Sequence, residues 1–130
     1  MSNTERIEAD IAELLEIALI ASRNNMPEEA EAILLAVDKL IPDHTETSIV
    51  RAMTLVNNGE HDEAVRLLKT LAESDELDNH KVKAFLGLAL HMKGETIASR
   101  EVLRELMEND RDELARTFAE KILDLAPANN

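Results

Sequence analysis

Apolar side chains recur along this chain at helical spacing, and a few turn residues interrupt the recurrence sharply. Ile7, Ile11, Leu14, Leu15, Ala18, Leu19 and Ala21 predict a first helix over residues 4–24, with Thr4 as its N-cap. Its middle, residues 14–21, is apolar nearly all round, which is the pattern of a helix covered on more than one side. Pro27 suits the first turn of a second helix, and Glu28 and Glu29 complement its positive dipole end. That helix carries Ala30, Ile33, Leu34, Val37, Leu40 and Ile41 and stops at Pro42. After a link capped by Thr45 or Thr47, a third helix carries Ile49, Val50, Ala52, Met53, Leu55 and Val56 and ends at Gly59. A fourth runs over 62–74 with Ala64, Val65, Leu67, Leu68 and Leu71, followed by the acidic link 74–79. Val82, Phe85, Leu86, Leu88, Ala89, Leu90 and Met92 mark a fifth, in which Gly87 predicts a close approach of two backbones. A sixth helix spans about 95–108 and a last one 112–125, with Leu114, Ala115, Phe118, Ile122 and Leu125 on one face. The tail 127–130 is expected to fray.

These elements repeat. Residues 24–30 (Asn-Asn-Met-Pro-Glu-Glu-Ala) and 58–64 (Asn-Gly-Glu-His-Asp-Glu-Ala) each place a turn and two acids before an Ala that opens an apolar stripe. Lys93-Gly94-Glu95 leads in the same way into Ser99, Val102, Leu103 and Leu106. Ala30 to Ala64 is 34 positions and Gly59 to Gly94 is 35. A helical hairpin recurring at about 34 residues is the tetratricopeptide period. The expected fold is therefore all-α: a tetratricopeptide-repeat superhelix forming a single domain over 1–130. Its three helix-turn-helix repeats fall at about 11–44, 45–79 and 80–113, with a capping helix at about 112–125 whose outer side is polar. Ala30, Ala64 and Ser99 then share the position where the two helices of a pair touch, and Pro42 falls at the end of a repeat.

In this register the first helix of each pair lines the concave side. The candidate protein-binding groove is Leu15 and Leu19, then Ile49, Met53 and Val56, then Ala84, Leu88 and Met92. An aliphatic, Met-containing surface of this kind suits an amphipathic helix. The competing reading is that the last helix, or tight superhelical curvature, fills the groove as ordinary core.

Composition narrows the function. Hydrophobic residues are 45% of the chain and aromatics 2%, so Leu, Ile, Ala, Val and Met must fill the core. Fourteen basic and 27 acidic residues give a formal net charge of −13, which disfavours nucleic acid and anionic membranes as partners. The acidity is concentrated early: residues 1–44 carry 10 acids and 3 bases, net −7, whereas residues 79–130 carry 9 and 8, net −1. Cysteine is absent, which removes disulfides, thiol nucleophiles and thiolate metal sites and suits a cytoplasmic protein. The polar start Met1-Ser2-Asn3-Thr4-Glu5-Arg6 does not read as a signal peptide, and no apolar run reaches the roughly 18–20 residues of a membrane span. His44, His61, His80 and His91 read as surface residues, since the one Glu76–His80 pair lacks the second His and third ligand a helical zinc site needs. Glu28-Glu29, Asp62-Glu63 and Asp112-Glu113 each open a helix, where acids complement the dipole. No catalytic, cofactor or metal site is expected, and an enzyme is not.

The segments 14–20 (Leu-Leu-Glu-Ile-Ala-Leu-Ile), 28–30 (Glu-Glu-Ala) and 49–59 (Ile-Val-Arg-Ala-Met-Thr-Leu-Val-Asn-Asn-Gly) resemble a known family. They are similar to the tetratricopeptide chaperones of type III secretion needle subunits, the YscG/PscG-type proteins with their HrpB-like relatives. The resemblance runs over about residues 11–125. It implies a cytoplasmic chaperone that holds the amphipathic helix of a needle or other export subunit in its concave apolar groove. A small helical co-chaperone would accompany it, and premature polymerisation would be prevented. The chain departs from the family in its longer N-terminus, its lack of Cys and Trp, and its acidity. The alternative is a generic repeat scaffold that binds another peptide or forms a homo-oligomer.

Overall fold

The computed structural model describes residues 2–73, 79–109 and 113–123, and every regular element among them is an α-helix. In chain order these are α1 (Asn3–Arg23), α2 (Pro27–Leu40), α3 (Thr45–Asn57), α4 (His61–Ala72), α5 (Asn79–Lys93), α6 (Thr96–Asn109) and α7 (Glu113–Leu123). The chain forms two compact units: residues 1–60 hold α1 to α3, and residues 61–130 hold α4 to α7. The expected link at 74–78, Asp112, Leu125 and the tail 127–130 lie outside the described residues, as do the side chains of Leu114, Ala115 and Phe118.

One backbone device ends α1, α3 and α5. Asn25, Gly59 and Gly94 all have left-handed φ, of 60°, 81° and 94°. Behind each, the next N–H reaches back to the carbonyl five residues earlier: Met26 to Ala21 at 2.9 Å, Glu60 to Leu55 at 2.8 Å and Glu95 to Leu90 at 2.9 Å. The left-handed residue itself donates to Ser22 (3.3 Å), Val56 (3.0 Å) and His91 (3.0 Å). Each is a Schellman ending, which satisfies carbonyls that a helix terminus otherwise leaves open. Glycine adopts this conformation without a Cβ clash, and asparagine is among the few other residues that visit it routinely. The three positions are 34 and 35 residues apart, so the repeat read from sequence is present in the backbone.

The helix starts differ from expectation at two places. Ser2, not Thr4, caps α1. Its Oγ accepts from the Glu5 N–H at 3.1 Å, while its own N–H donates to Glu5 Oε2 at 3.3 Å. This is a capping box, and the Ser-x-x-Glu spacing that specifies it is in the sequence. At α3 neither Thr45 nor Thr47 is the cap. His44 holds that position without a side-chain bond to the helix backbone, and Thr47 is buried with its Oγ1 3.2 Å from His44 Nδ1. The end of α2 follows expectation: Pro42 disfavours the α region for the residue before it, and Ile41 is extended at φ −145°, ψ 92°.

Each unit has its own core. In the first, Ile11, Leu15 and Ala18 of α1 pack with Leu34 and Val37 of α2, flanked by Leu14, Ile33, Ile41 and Val50. In the second, Ala84 of α5 packs with Leu103 and Leu106 of α6 and with Ala119 and Ile122 of α7. Full burial of a Leu or Val is worth roughly 1.5–3 kcal/mol. Ala30, Ala64 and Ser99, assigned to the helix-contact position, are 1%, 0% and 1% exposed. At Ser99 the contact is explicit, because its Oγ donates to the Gly87 carbonyl at 2.6 Å. Gly87 is needed for a reason other than the expected backbone approach. A Cβ there would lie 2.6 Å from Leu103 Cγ, so a side chain of α6 occupies the space.

We expect Gly87→Ala to force Leu103 from its position and to cost about 1–3 kcal/mol by overpacking, read as a lower urea midpoint. A Cβ added at Gly59 would meet nothing within 4 Å. Gly59→Ala should therefore lose only the backbone preference, about 1 kcal/mol. A Gly87→Ala loss that stays the same when Leu103 is also shortened to Ala would mean that Leu103 is not what fixes Gly87.

Candidate functional site

The eight expected groove residues fall into three environments. Leu15, Ile49 and Val56 of the first unit and Ala84 of the second are buried, at 6%, 3%, 8% and 3% exposure. Leu15 and Ala84 are members of the two cores. Leu19 and Met53 in the first unit are half-buried, as is Leu88 in the second. Leu88 packs against the cluster that includes Ala119 and Ile122, so α7 helps to cover this part of α5. Met92 is 52% exposed. Among the eight, then, Leu19, Met53, Leu88 and Met92 keep surface open to a partner.

Sequence reasoning expects residues 14–21 of α1 to be covered on more than one side, and the described chain does not cover all of them. The buried face of this helix is Ile11, Leu15, Ala18 and Ser22. Ile17 and Ile20 point elsewhere and are 44% and 45% exposed. At 100° per residue they lie 60° apart and form one strip, which half-buried Leu14 and Ala21 join to the core face. At the same 100° per residue Asp10 and Glu13 lie in line with the strip toward the start of the helix and Glu16 lies to one side of it, and all three are exposed. The signal is present in the sequence, since residues 14–21 are apolar nearly all round. The structure covers one side of this segment and leaves Ile17 and Ile20 at the surface.

Polar contacts hold the elements that carry these residues. Arg51 of α3 pairs with Asp38 at 2.8 Å and with Glu31 at 3.6 Å, both on α2. Asn57 Nδ2 donates to Ser22 Oγ of α1 at 3.2 Å. Beside Met92 in the second unit, Lys93 meets Asp62 of α4 at 3.0 Å and Glu95 at 3.2 Å. Hydrogen bonds to Asp62, then to Glu95, raise the Lys93 pKa above its ordinary value, so the ammonium stays charged. Exposed pairs as a class contribute little to stability. The chemistry available is that of apolar contact edged by carboxylates. Among the described residues no group of three His, Asp or Glu is placed to hold a metal ion, and no helix is long and apolar enough to cross a membrane.

The model of the HrpB1_HrpK family, described as a bacterial type III secretion protein, matches residues 1–127. No curated protein and no solved structure matches the chain. The family match covers the capped start of α1, all three Schellman turns and the whole of α7. Over nearly its entire length, therefore, this all-helical chain belongs to the bacterial type III secretion protein family HrpB1_HrpK.

Proposed function

We propose that this chain is a helix-binding protein of type III secretion, acting as a chaperone that shields an amphipathic helix of an export subunit before the subunit assembles. The observation that carries the proposal is that α1 holds more apolar side chain than its own unit covers. Leu19 lies on one side of its buried face and Ile17 and Ile20 on the other. Exposed apolar residues that stand together, as Ile17 and Ile20 do, favour a surface that another molecule meets. Burial of that surface by a partner helix is worth roughly 25 cal/mol per Å² before the costs of ordering and association. The repeat period supports a tetratricopeptide-like scaffold, and the resemblance to needle-subunit chaperones supports a needle subunit as cargo with a small helical co-chaperone alongside. In this reading Leu19 and Met53 of the first unit, and separately Leu88 and Met92 of the second, offer apolar surface to the helix, and no catalytic step is involved. A chaperone of this kind works in the cytoplasm.

Co-expression with a needle subunit encoded in the same secretion locus should give a soluble complex in size-exclusion chromatography. Met53→Glu and Met92→Glu should each weaken capture about tenfold or more, the equivalent of about 1.4 kcal/mol, with circular dichroism unchanged. Met92 is already exposed, so its variant separates lost binding from lost folding. A chain that leaves the subunit to polymerise, or a discrete homodimer that ignores it, would defeat the chaperone reading. In cell fractionation the protein should be recovered with the cytoplasm; recovery outside the inner membrane would exclude a role before export.

A further inference from the structure

The second unit holds a cleft of about 200 Å³, counting its space open to solvent, among the end of α5, the start of α6 and the end of α7. One wall is polar, formed by His91 of α5 with Thr96 and Arg100 of α6. The other is aliphatic, formed by Leu103 of α6 with Ile122 and Leu123 of α7. Thr96, Arg100 and Leu103 recur at helical spacing and share one face of α6. Ser99 stands on that face too, but its hydroxyl is spent on the Gly87 carbonyl. The Thr96 Oγ1 is buried, and no group among the described residues bonds to it. A buried hydroxyl without a partner is uncommon and costs free energy. Arg100 is half-buried and pairs with no carboxylate among the described residues, whereas Arg51, also half-buried, holds both Asp38 and Glu31. In a chain with 27 acids, the described residues lining this cleft include no Asp or Glu.

From this we infer that the cleft binds an aliphatic monocarboxylate. The guanidinium of Arg100 offers paired N–H donors in the fork geometry that a carboxylate matches. His91 can donate from a ring nitrogen and Thr96 from its hydroxyl, and a carboxylate has lone pairs for all three. The guanidinium is the one fixed positive charge among the described lining residues, so it balances a monoanion. A phosphate dianion would be left undercompensated in a chain of net charge −13. Leu103, Ile122 and Leu123 give the carbon chain of the ligand an apolar wall and leave a polar chain without partners there. A free branched-chain acid and the C-terminus of a peptide ending in Leu, Ile or Val share this chemistry. The site goes beyond the helix-binding reading and does not rest on it, since Leu19, Met53, Leu88 and Met92 are not among the described residues that line it.

Titrating the isotope-labelled full chain with isovalerate tests this by backbone amide shifts in NMR. The shifts should saturate near His91, Thr96 and Arg100, with a dissociation constant on the order of 1 mM for so small a ligand. Isovaleramide has the same shape without the charge and should bind at least about tenfold more weakly. N-acetyl-leucine, which ends as a peptide does, distinguishes the two sources. Binding tighter than that of isovalerate by about tenfold assigns the site to a peptide terminus, and equal or weaker binding assigns it to a free acid. Both results uphold the carboxylate site. Arg100→Gln should weaken isovalerate about tenfold or more, and Arg100→Lys, which keeps the charge and loses the fork, about threefold. Thr96→Val removes the hydroxyl alone and should weaken it about threefold. Circular dichroism should stay that of the wild type in each variant. If Arg100→Gln unfolds, the comparison of acid with amide on the unaltered chain still decides. Equal binding of acid and amide, or binding indifferent to Arg100→Gln in a folded chain, would overturn the proposal. So would the same shifts from sodium chloride at matched ionic strength, which would mark an adventitious ion only.

Discussion

The contact between Ser99 and Gly87 constrains how α5 and α6 pack in the second unit. A hydroxyl donates to a main-chain carbonyl at 2.6 Å while Leu103 fills the space a Cβ on Gly87 would need. Serine is small enough to let the helices approach, and its hydroxyl finds a partner, so burying it is not penalised. The corresponding alanines at 30 and 64 reach the same burial with no polar group to satisfy. Small residues at these positions allow Leu, Ile and Val side chains to interlock around them. That is how a chain with 2% aromatics assembles two cores.

Pairing at small residues also decides where the remaining apolar surface goes. A helix that packs through one strip has room for a second strip only if something else meets it. In α5 that something is α7, whose Ala119 and Ile122 join Ala84 and bring Leu88 under partial cover. In α1 the described chain supplies no such cover on the side of Ile17 and Ile20. The second unit thus covers part of its surplus with its last helix and still leaves Met92 and Ile97 exposed, at 52% and 78%, as the first leaves Ile17 and Ile20.

Much of the fold is legible in the sequence because local physics specifies it. Three turns at one period, prolines at 27 and 42 and apolar stripes at helical spacing fix the described helices to within about two residues, the usual scatter of helix ends. The errors at caps have a different origin. Ser2-x-x-Glu5 is a readable capping box that outweighs the lone Thr4, whereas the burial of Thr47 is a tertiary fact with no local sign. Gly87 stands out in the fifth helix from sequence, but only the structure shows that a leucine occupies the space beside it. The candidate groove is the least legible part. Periodicity says which residues share a face, and it is silent on which neighbouring element covers that face. Leu15 and Met53 look alike in sequence, yet one belongs to a core and the other is half-buried.

The acidity and the apolar surface act together. A net charge of −13 sets a long-range repulsion between like-charged surfaces, which weakens beyond a Debye length of about 10 Å at 0.1 M salt. Exposed Ile17 and Ile20 would otherwise favour indiscriminate association, since apolar contact has no directional preference. Carboxylates at 10, 13 and 16 stand exposed on the same helix, so charge as well as apolar area is presented there. Ion pairs such as Arg51 with Asp38 and Glu31, and Lys93 with Asp62 and Glu95, engage bases within the protein and leave much of the acid excess to the surface. Apolar contact alone discriminates little between surfaces, and charge is the property by which one approaching surface differs from another.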